Sequence, residues 1–303
     1  MTSSTPRTIE EYLDQLRVAL RGADPALIQD ALYDAEDHLR SELAENPGKS
    51  EAEVLAKIAT TYGAAEEVAE IYVDKEHQVQ QALRSPPPPP RRTALGRFFG
   101  IGSDPRAYAS LFYMMLSLAT GIFYFVWVVA GMSISIGTAI LIFGLAFAVL
   151  FFGTVRVLSL VEGRIIEVML GERMPRRPVY AERGLTIMER IKAMFVDPRT
   201  WSTILYMLLM LPLGIIYFTV AVTGTTLSLA LMLLPIAIIL RSFNIIGGGG
   251  IYFDGEMFLP PLLALPLCFV IGAFLLFAML HLARGVGRFQ SALAKSLLVK
   301  SAD

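Results

Sequence analysis

Asp30, Asp34, Asp37 and His38 recur at spacings of three, four and eight residues, which on a helix makes an acidic ridge carrying one imidazole. Carboxylates beside an imidazole are ligands for a divalent cation. One histidine among scattered aspartates is not a defined ligand set, however, so the ridge reads instead as a solvated acidic face with a packing histidine, suited to a protein partner. A second polar group, Arg241, Tyr252, Asp254, Gly255 and Glu256, lies in SFNIIGGGGIYFDGEMFLPP. Its four glycines form a loose joint rather than a phosphate loop, because no Gly-Lys-Ser/Thr follows. IYF-DG-EMF then predicts a short β-hairpin with Asp254 and Gly255 at the centre of a tight turn. The insert is either a ligand-sensing pocket or a simple extracellular cap.

Chemistry beyond these two groups is sparse. No GxSxG, HExxH, Walker or kinase motif occurs, and the three histidines, His38, His77 and His281, are scattered. The lone Cys268 can close no intrachain disulfide and offers no cysteine metal site. The expectation is a protein that is not an enzyme, with no catalytic residue, cofactor or metal.

The elements that position these groups follow from composition. Mean hydropathy is +0.56 and 54% of residues are hydrophobic, in apolar runs long enough to span a bilayer. The first run begins near Tyr108, behind a long polar stretch, which predicts no cleavable signal peptide and a cytoplasmic N-terminus. Residues 1–90 carry 8 Lys+Arg against 17 Asp+Glu, and residues 91–303 carry 18 against 10. An acidic soluble module is thus joined to a basic membrane module. Between them SPPPPPRR favours extended polyproline II, a semi-rigid spacer. The expected domains are 1–84, a linker over 85–99, and a membrane module over 100–303.

The first module reads as four helices. Thr8 with Glu11 caps the first, whose stripe is Ile9, Leu13, Leu16 and Leu20. Asp24-Pro25 starts the second, burying Ile28, Ala31, Leu32, Ala35, Leu39 and Leu43. Ser50 with Glu53 caps a third that stops at Tyr62-Gly63, and a fourth runs from Ala65 to Leu83. The stretch from residue 8 to 74 resembles the HAAS family of helical signalling domains linked to PadR-type regulators. Tyr12, Leu13, Leu16, Leu20, Asp34, Asp37, His38, Ser50, Glu53, Tyr62, Gly63, Glu67, Val68 and Ala69 carry that resemblance. Ala64 and Ala65 stand where the family usually has Asp-Pro. The resemblance implies relay of a signal by protein contact rather than chemistry.

The membrane module repeats itself. DPRAYASLFYMMLSLATGIFYF from Asp104 meets DPRTWSTILYMLLMLPLGIIYF from Asp197 at a shift of 93, with 11 identities in 22 positions. A second register, shifted by 122, aligns LSLVEG with LHLARG, so the second copy carries about 29 extra residues. The repeats are read as about 103–170 and 196–298, with the insert at about 241–259. Runs 108–130 and 201–222 are predicted to span, ending at turns in AGMSIS and VTGTTL. Leu227 to Leu240, only 14 residues with Pro235 inside, reads as a partial or re-entrant segment beside four full spans. The basic exits SLVEGRIIEVMLGERMPRR and LARGVGRFQSALAKSLLVK are expected to lie along the inner leaflet. Of the module's 18 Lys+Arg, 17 fall on the side predicted to be cytoplasmic, Arg241 being the exception.

The fold class expected is all-α: a small helical domain plus a polytopic membrane domain built from a parallel two-fold repeat. Residues 100–298 resemble a sensor-domain family of actinobacterial membrane proteins often fused to histidine kinases, through the two DPR motifs, LPLGIIYF and LARGVGRFQSALAKSLL. No kinase follows in this sequence. The leading expectation is a non-enzymatic multi-pass cell-membrane sensor, both termini cytoplasmic, relaying a cue to a cytoplasmic PadR-type regulator. A transporter or transporter-accessory subunit is the alternative, opposed by spans nearly free of ionisable residues. Expected partners are the anionic inner leaflet and the regulator, with no direct nucleic acid contact and room for a homo-oligomer.

Overall fold

The computed structural model describes residues 6–83, 93–138, 142–177, 195–242, 252–253, 256–257 and 261–299. The fold is all-α. Its helices are α1 (Ile9–Ala19), α2 (Pro25–Glu45), α3 (Glu51–Thr61), α4 (Ala65–Leu83), α5 (Ala94–Gly100), α6 (Pro105–Gly137), α7 (Ile142–Leu170), α8 (Pro198–Ser242) and α9 (Pro261–Leu298). Two two-residue strands, β1 (Tyr252–Phe253) and β2 (Glu256–Met257), pair antiparallel, Tyr252 with Met257 and Phe253 with Glu256. That register leaves two residues between the strands, as the hairpin reading requires, and those two, Asp254 and Gly255, lie outside the described residues, as does the proline run. The chain divides into two compact units, one of residues 1–84, 126–208 and 291–303, the other of 85–125 and 209–290.

In the first unit α1 to α4 form the small domain, and their ends follow local chemistry. The Thr8 hydroxyl accepts from Glu11 N, Asp24 caps α2 with Pro25 at its first position, and Ser50 with Glu53 closes a reciprocal capping box. The stripes meet in one core containing Tyr12, Leu13, Leu16, Ile28, Leu32, Leu39, Leu55, Ile58 and Val68. Tyr12 donates its hydroxyl to Gly63 O at 3.1 Å, tying α1 to the turn before α4.

Four helices, α6 to α9, are long and apolar enough to cross a membrane. Three sequence expectations are corrected here. The AGMSIS and VTGTTL turns do not form: α6 runs through the first and α8 through the second. Leu227 to Leu240 is therefore no separate partial segment but the continuation of α8, which is 45 residues long, roughly 67 Å against about 30 Å of hydrocarbon. Nor are the basic exits separate flat helices: residues 159–170 of the first are the last turns of α7 and residues 171–177 follow after the turn at Gly171, while the second continues α9 to Leu298. In and just past these stretches, hydroxyls turn back onto the helix. Ser135 donates to Gly131 O at 2.7 Å, Thr138 to Ile134 O at 2.7 Å and Ser228 to Gly224 O at 2.6 Å. Where water is scarce, a continuous helix is also the way to satisfy every amide.

The second unit holds a close backbone-to-backbone helix contact, and it is reciprocal. A Cβ on Gly121 of α6 would collide with Met210 O and sit 3.1 Å from Leu211 Cα on α8; a Cβ on Gly214 of α8 would collide with Ser117 O and sit 3.1 Å from Leu118 Cα on α6. The 93-residue shift carries Gly121, Ser117 and Leu118 onto Gly214, Met210 and Leu211. The two copies thus use the same positions on each other, which is what a pseudo-two-fold axis requires. Small residues let backbones approach where apolar association alone would not drive helices together.

Gly121→Val and Gly214→Val should therefore each destabilise the full chain by a similar amount, about 1–3 kcal/mol of overpacking. A lowered melting temperature in detergent micelles checks this. Gly153→Ala, at a site with nothing within 4 Å of its added Cβ, should be neutral or mildly stabilising.

Candidate functional site

Within the first unit, the acidic ridge of α2 is held by the basic segment that follows α7. Helix α7 ends because Gly171 takes φ 75°, a left-handed conformation costly for other residues, with its N–H shared between Ile166 O and Glu167 O at 3.2 Å. The chain then brings Arg173, Arg176 and Arg177 onto α2. Asp30, 5% exposed, accepts at Oδ1 from the backbone N–H of Arg176 and of Arg177, both at 2.8 Å. Its Oδ2 takes the Arg173 Nη2 at 2.9 Å.

Arg173 is itself 7% exposed, and its Nε reaches Glu76 of α4 at 3.1 Å while its Nη1 lies 3.6 Å from Glu167 of α7. Arg176 shares Glu167 at 2.8 Å. One buried guanidinium thus joins α2, α4 and α7. Burial pushes the Asp30 carboxyl above the ordinary carboxylate range, while the Arg177 amide, the Arg173 charge and the Arg176 amide pull it back.

The ends of two further membrane-length helices reach the same helix. Arg199, in the first turn of α8, donates to Gln29 Oε1 at 2.7 Å and to Leu298 O, while Gln29 Nε2 donates to Arg177 O at 2.6 Å. Lys295, near the end of α9, pairs with Asp24 at 2.6 Å and with Glu172 at 2.9 Å.

The sequence-predicted ridge residues fall in different surroundings. Asp30 and Asp34 come together on the arginine segment, Asp34 taking Arg177 Nε at 2.9 Å and the Tyr72 hydroxyl at 3.3 Å. His38 stacks on Tyr62 with ring centroids 4.4 Å apart, and Asp37 is half-buried. In the second unit Arg241 lies in the last turn of α8, Tyr252 in β1 and Glu256 in β2. Among the described residues no group of three or more His, Cys, Asp or Glu is placed to hold a metal ion. Sequence reasoning missed Gln29, Glu76, Arg173, Arg199 and Lys295 as members of one site. The available signal was the opposite charge of the two modules, together with three closely spaced arginines after a glycine.

Asp30→Ala strips the acceptor from two amides and one guanidinium and should destabilise the full chain by about 3–5 kcal/mol, as loss of one partner of a buried pair does. Asp30→Asn keeps an acceptor for the amides but turns an NH2 toward Arg173, and should lose about 1.5–3 kcal/mol, less than the alanine variant. Thermal unfolding in micelles, comparing the two variants, separates buried-charge pairing from simple packing.

Comparison with known proteins agrees with this architecture in its membrane part. No curated protein and no solved structure matches the chain. A family described as "Putative sensor" matches residues 113–298, which takes in most of α6, all of α7 and α8, and α9 to its last residue. With more than half of its length matched, the chain belongs to that sensor family.

Proposed function

We propose that the protein is a non-enzymatic membrane sensor that relays a cue from its membrane helices to a cytoplasmic regulator through the α1–α4 domain. One observation carries the reading: the segment that follows α7, the start of α8 and the end of α9 all make polar contacts with α2 or its cap. Any rearrangement of these helices alters what α2 touches, so the small domain is poised to report on the bilayer part. The resemblance of residues 8–74 to HAAS domains supports a PadR-type regulator as the receiver. Membership of a sensor family supports the role of the helices. Of the two ridge carboxylates that meet the arginines, Asp34 is the more exposed, and its pairing with Arg177 is the contact a competing partner would displace.

Sidedness follows from charge. The lysines and arginines flanking the four helices favour the cytoplasm, so both termini are assigned there, and a reporter fused after Asp303 that works only outside the cytoplasm should stay silent. The relay is tested by transcript profiling of cells carrying the wild-type chain, a deletion, and Arg177→Ala, which frees Asp34 while leaving the buried Arg173 pairs in place. The sensor reading expects Arg177→Ala, at normal membrane abundance, to shift the same gene set that the deletion shifts. Unchanged transcripts in both strains would sink it, and altered solute uptake in their place would favour the transporter reading.

A further inference from the structure

The start of α8, whose Arg199 to Gln29 contact belongs to the relay, also borders a cavity of the first unit. The cavity is about 50 Å³, its wall including Arg156, Asp197, Arg199, Thr200, Thr203 and Gln29. That is room for about three waters, or for one group of phosphate size. Asp197 is committed to the helix start, accepting from Arg199 N at 3.1 Å, and meets Arg156 only at 3.5 Å. Two guanidiniums therefore face one carboxylate at the positive end of a 45-residue helix.

Two donors at this cavity are unspent. Thr200 is 2% exposed and its buried hydroxyl has no hydrogen-bond partner among the described residues. The same holds for Nη1 of Arg199, whose other nitrogens hold Leu298 O and Gln29. A buried donor without an acceptor is expensive, so such groups persist where something else meets them.

The pseudo-symmetric place, between the start of α6 and α9, is packed differently. The 93-residue shift puts Ala107 at the position of Thr200, and the 122-residue shift puts Phe277 at that of Val155 and Ala278 at that of Arg156. In the second unit Ile101, Ala107 and Leu280 form an apolar cluster against which Phe277 packs. The place in the second unit is closed by Phe277, although it too keeps a buried hydroxyl without a partner among the described residues, that of Ser110, while the place in the first unit keeps a hollow lined by Arg156 and Arg199.

We propose that this cavity binds a phosphate group, its oxygens met by the Arg199 guanidinium, the Arg156 guanidinium and the Thr200 hydroxyl. Donors converging from α7 and α8 suit a tetrahedral oxyanion better than a planar carboxylate. The mouth of a membrane-length helix is where both phospholipid headgroups and soluble phosphate are at hand. The site does not depend on the relay reading, because its test reads binding and not signalling.

The test uses the full chain in zwitterionic detergent and phosphate-free buffer. Native mass spectrometry with phosphatidylglycerol and with phosphatidylcholine asks whether one anionic lipid is retained, and calorimetry with inorganic phosphate asks whether the free ion binds. Saturable binding of one equivalent in either arm is expected, weakened about tenfold by Arg156→Gln and by Thr200→Val. Arg106→Gln, at the position in the first copy equivalent to Arg199, should change nothing. Retention of phosphatidylglycerol with silence towards free phosphate assigns the headgroup; binding of the free ion that displaces the lipid assigns soluble phosphate. Thr200→Val removes only an unpartnered hydroxyl, so its melting temperature should match or exceed that of the wild type, and loss of binding then reports the site. Absence of saturable binding in both arms, or binding undiminished in both site variants, overturns the proposal.

Discussion

A carboxylate taken out of water must be met by donors that come with it, and Asp30 is the place where this chain meets that condition. Two backbone amides and one guanidinium, all from residues 173–177, converge on it. None of those donors would be in reach if α7 ran on past Leu170, so the left-handed turn at Gly171 and the burial of Asp30 are one arrangement. Arg173 extends the condition outwards, since its own burial is tolerable only with Glu76 and Glu167 beside it. The position of α4 against α2, the end of α7 and the path of the following segment are fixed together. Replacing Arg173 takes a guanidinium from Asp30, Glu76 and Glu167 at once.

The membrane-length helices are held by a different kind of constraint, one of distance rather than charge. At Gly121 and Gly214 only a hydrogen fits between backbones, and the repeat supplies both halves of the contact from equivalent positions. Gly121 and Gly214 are accordingly the same residue in both copies, as are Leu118 and Leu211, while Ser117 and Met210 differ because only their backbones are approached. Divergence falls elsewhere: Thr200 against Ala107, Arg156 against Ala278, and the insert that only the second copy carries.

Local chemistry made much of this legible in advance. Thr8, Asp24-Pro25, Ser50 with Glu53, and the Ala65–Leu83 helix could be read because a cap involves residues only two or three apart. The all-α class and the candidate hairpin register followed from composition and a two-residue turn. The helix continuations did not. Gly with Ser or Thr signals a turn in water, but Ser135 and Ser228 spend their hydroxyls on their own helix, and a short-range rule cannot tell which solvent surrounds the residue. The charged joint was out of reach for another reason. Asp30 and Arg173 are separated by 143 residues, and nothing in either neighbourhood names the other.

The unbroken course of α7 up to Leu170, three residues before Arg173, has a mechanical consequence. A helix with no hinge between its apolar middle and its last turn behaves as a stiff arm, and from the midpoint of its 29 residues to Leu170 that arm is roughly 20 Å long. A tilt of about 8° about the midpoint would carry the tip roughly 3 Å, the length of one hydrogen bond. The Arg173 to Asp30 contact is 2.9 Å. Angular change too small to disturb helix packing would thus arrive at the tip as contact made or contact broken, converting a graded motion into a switch.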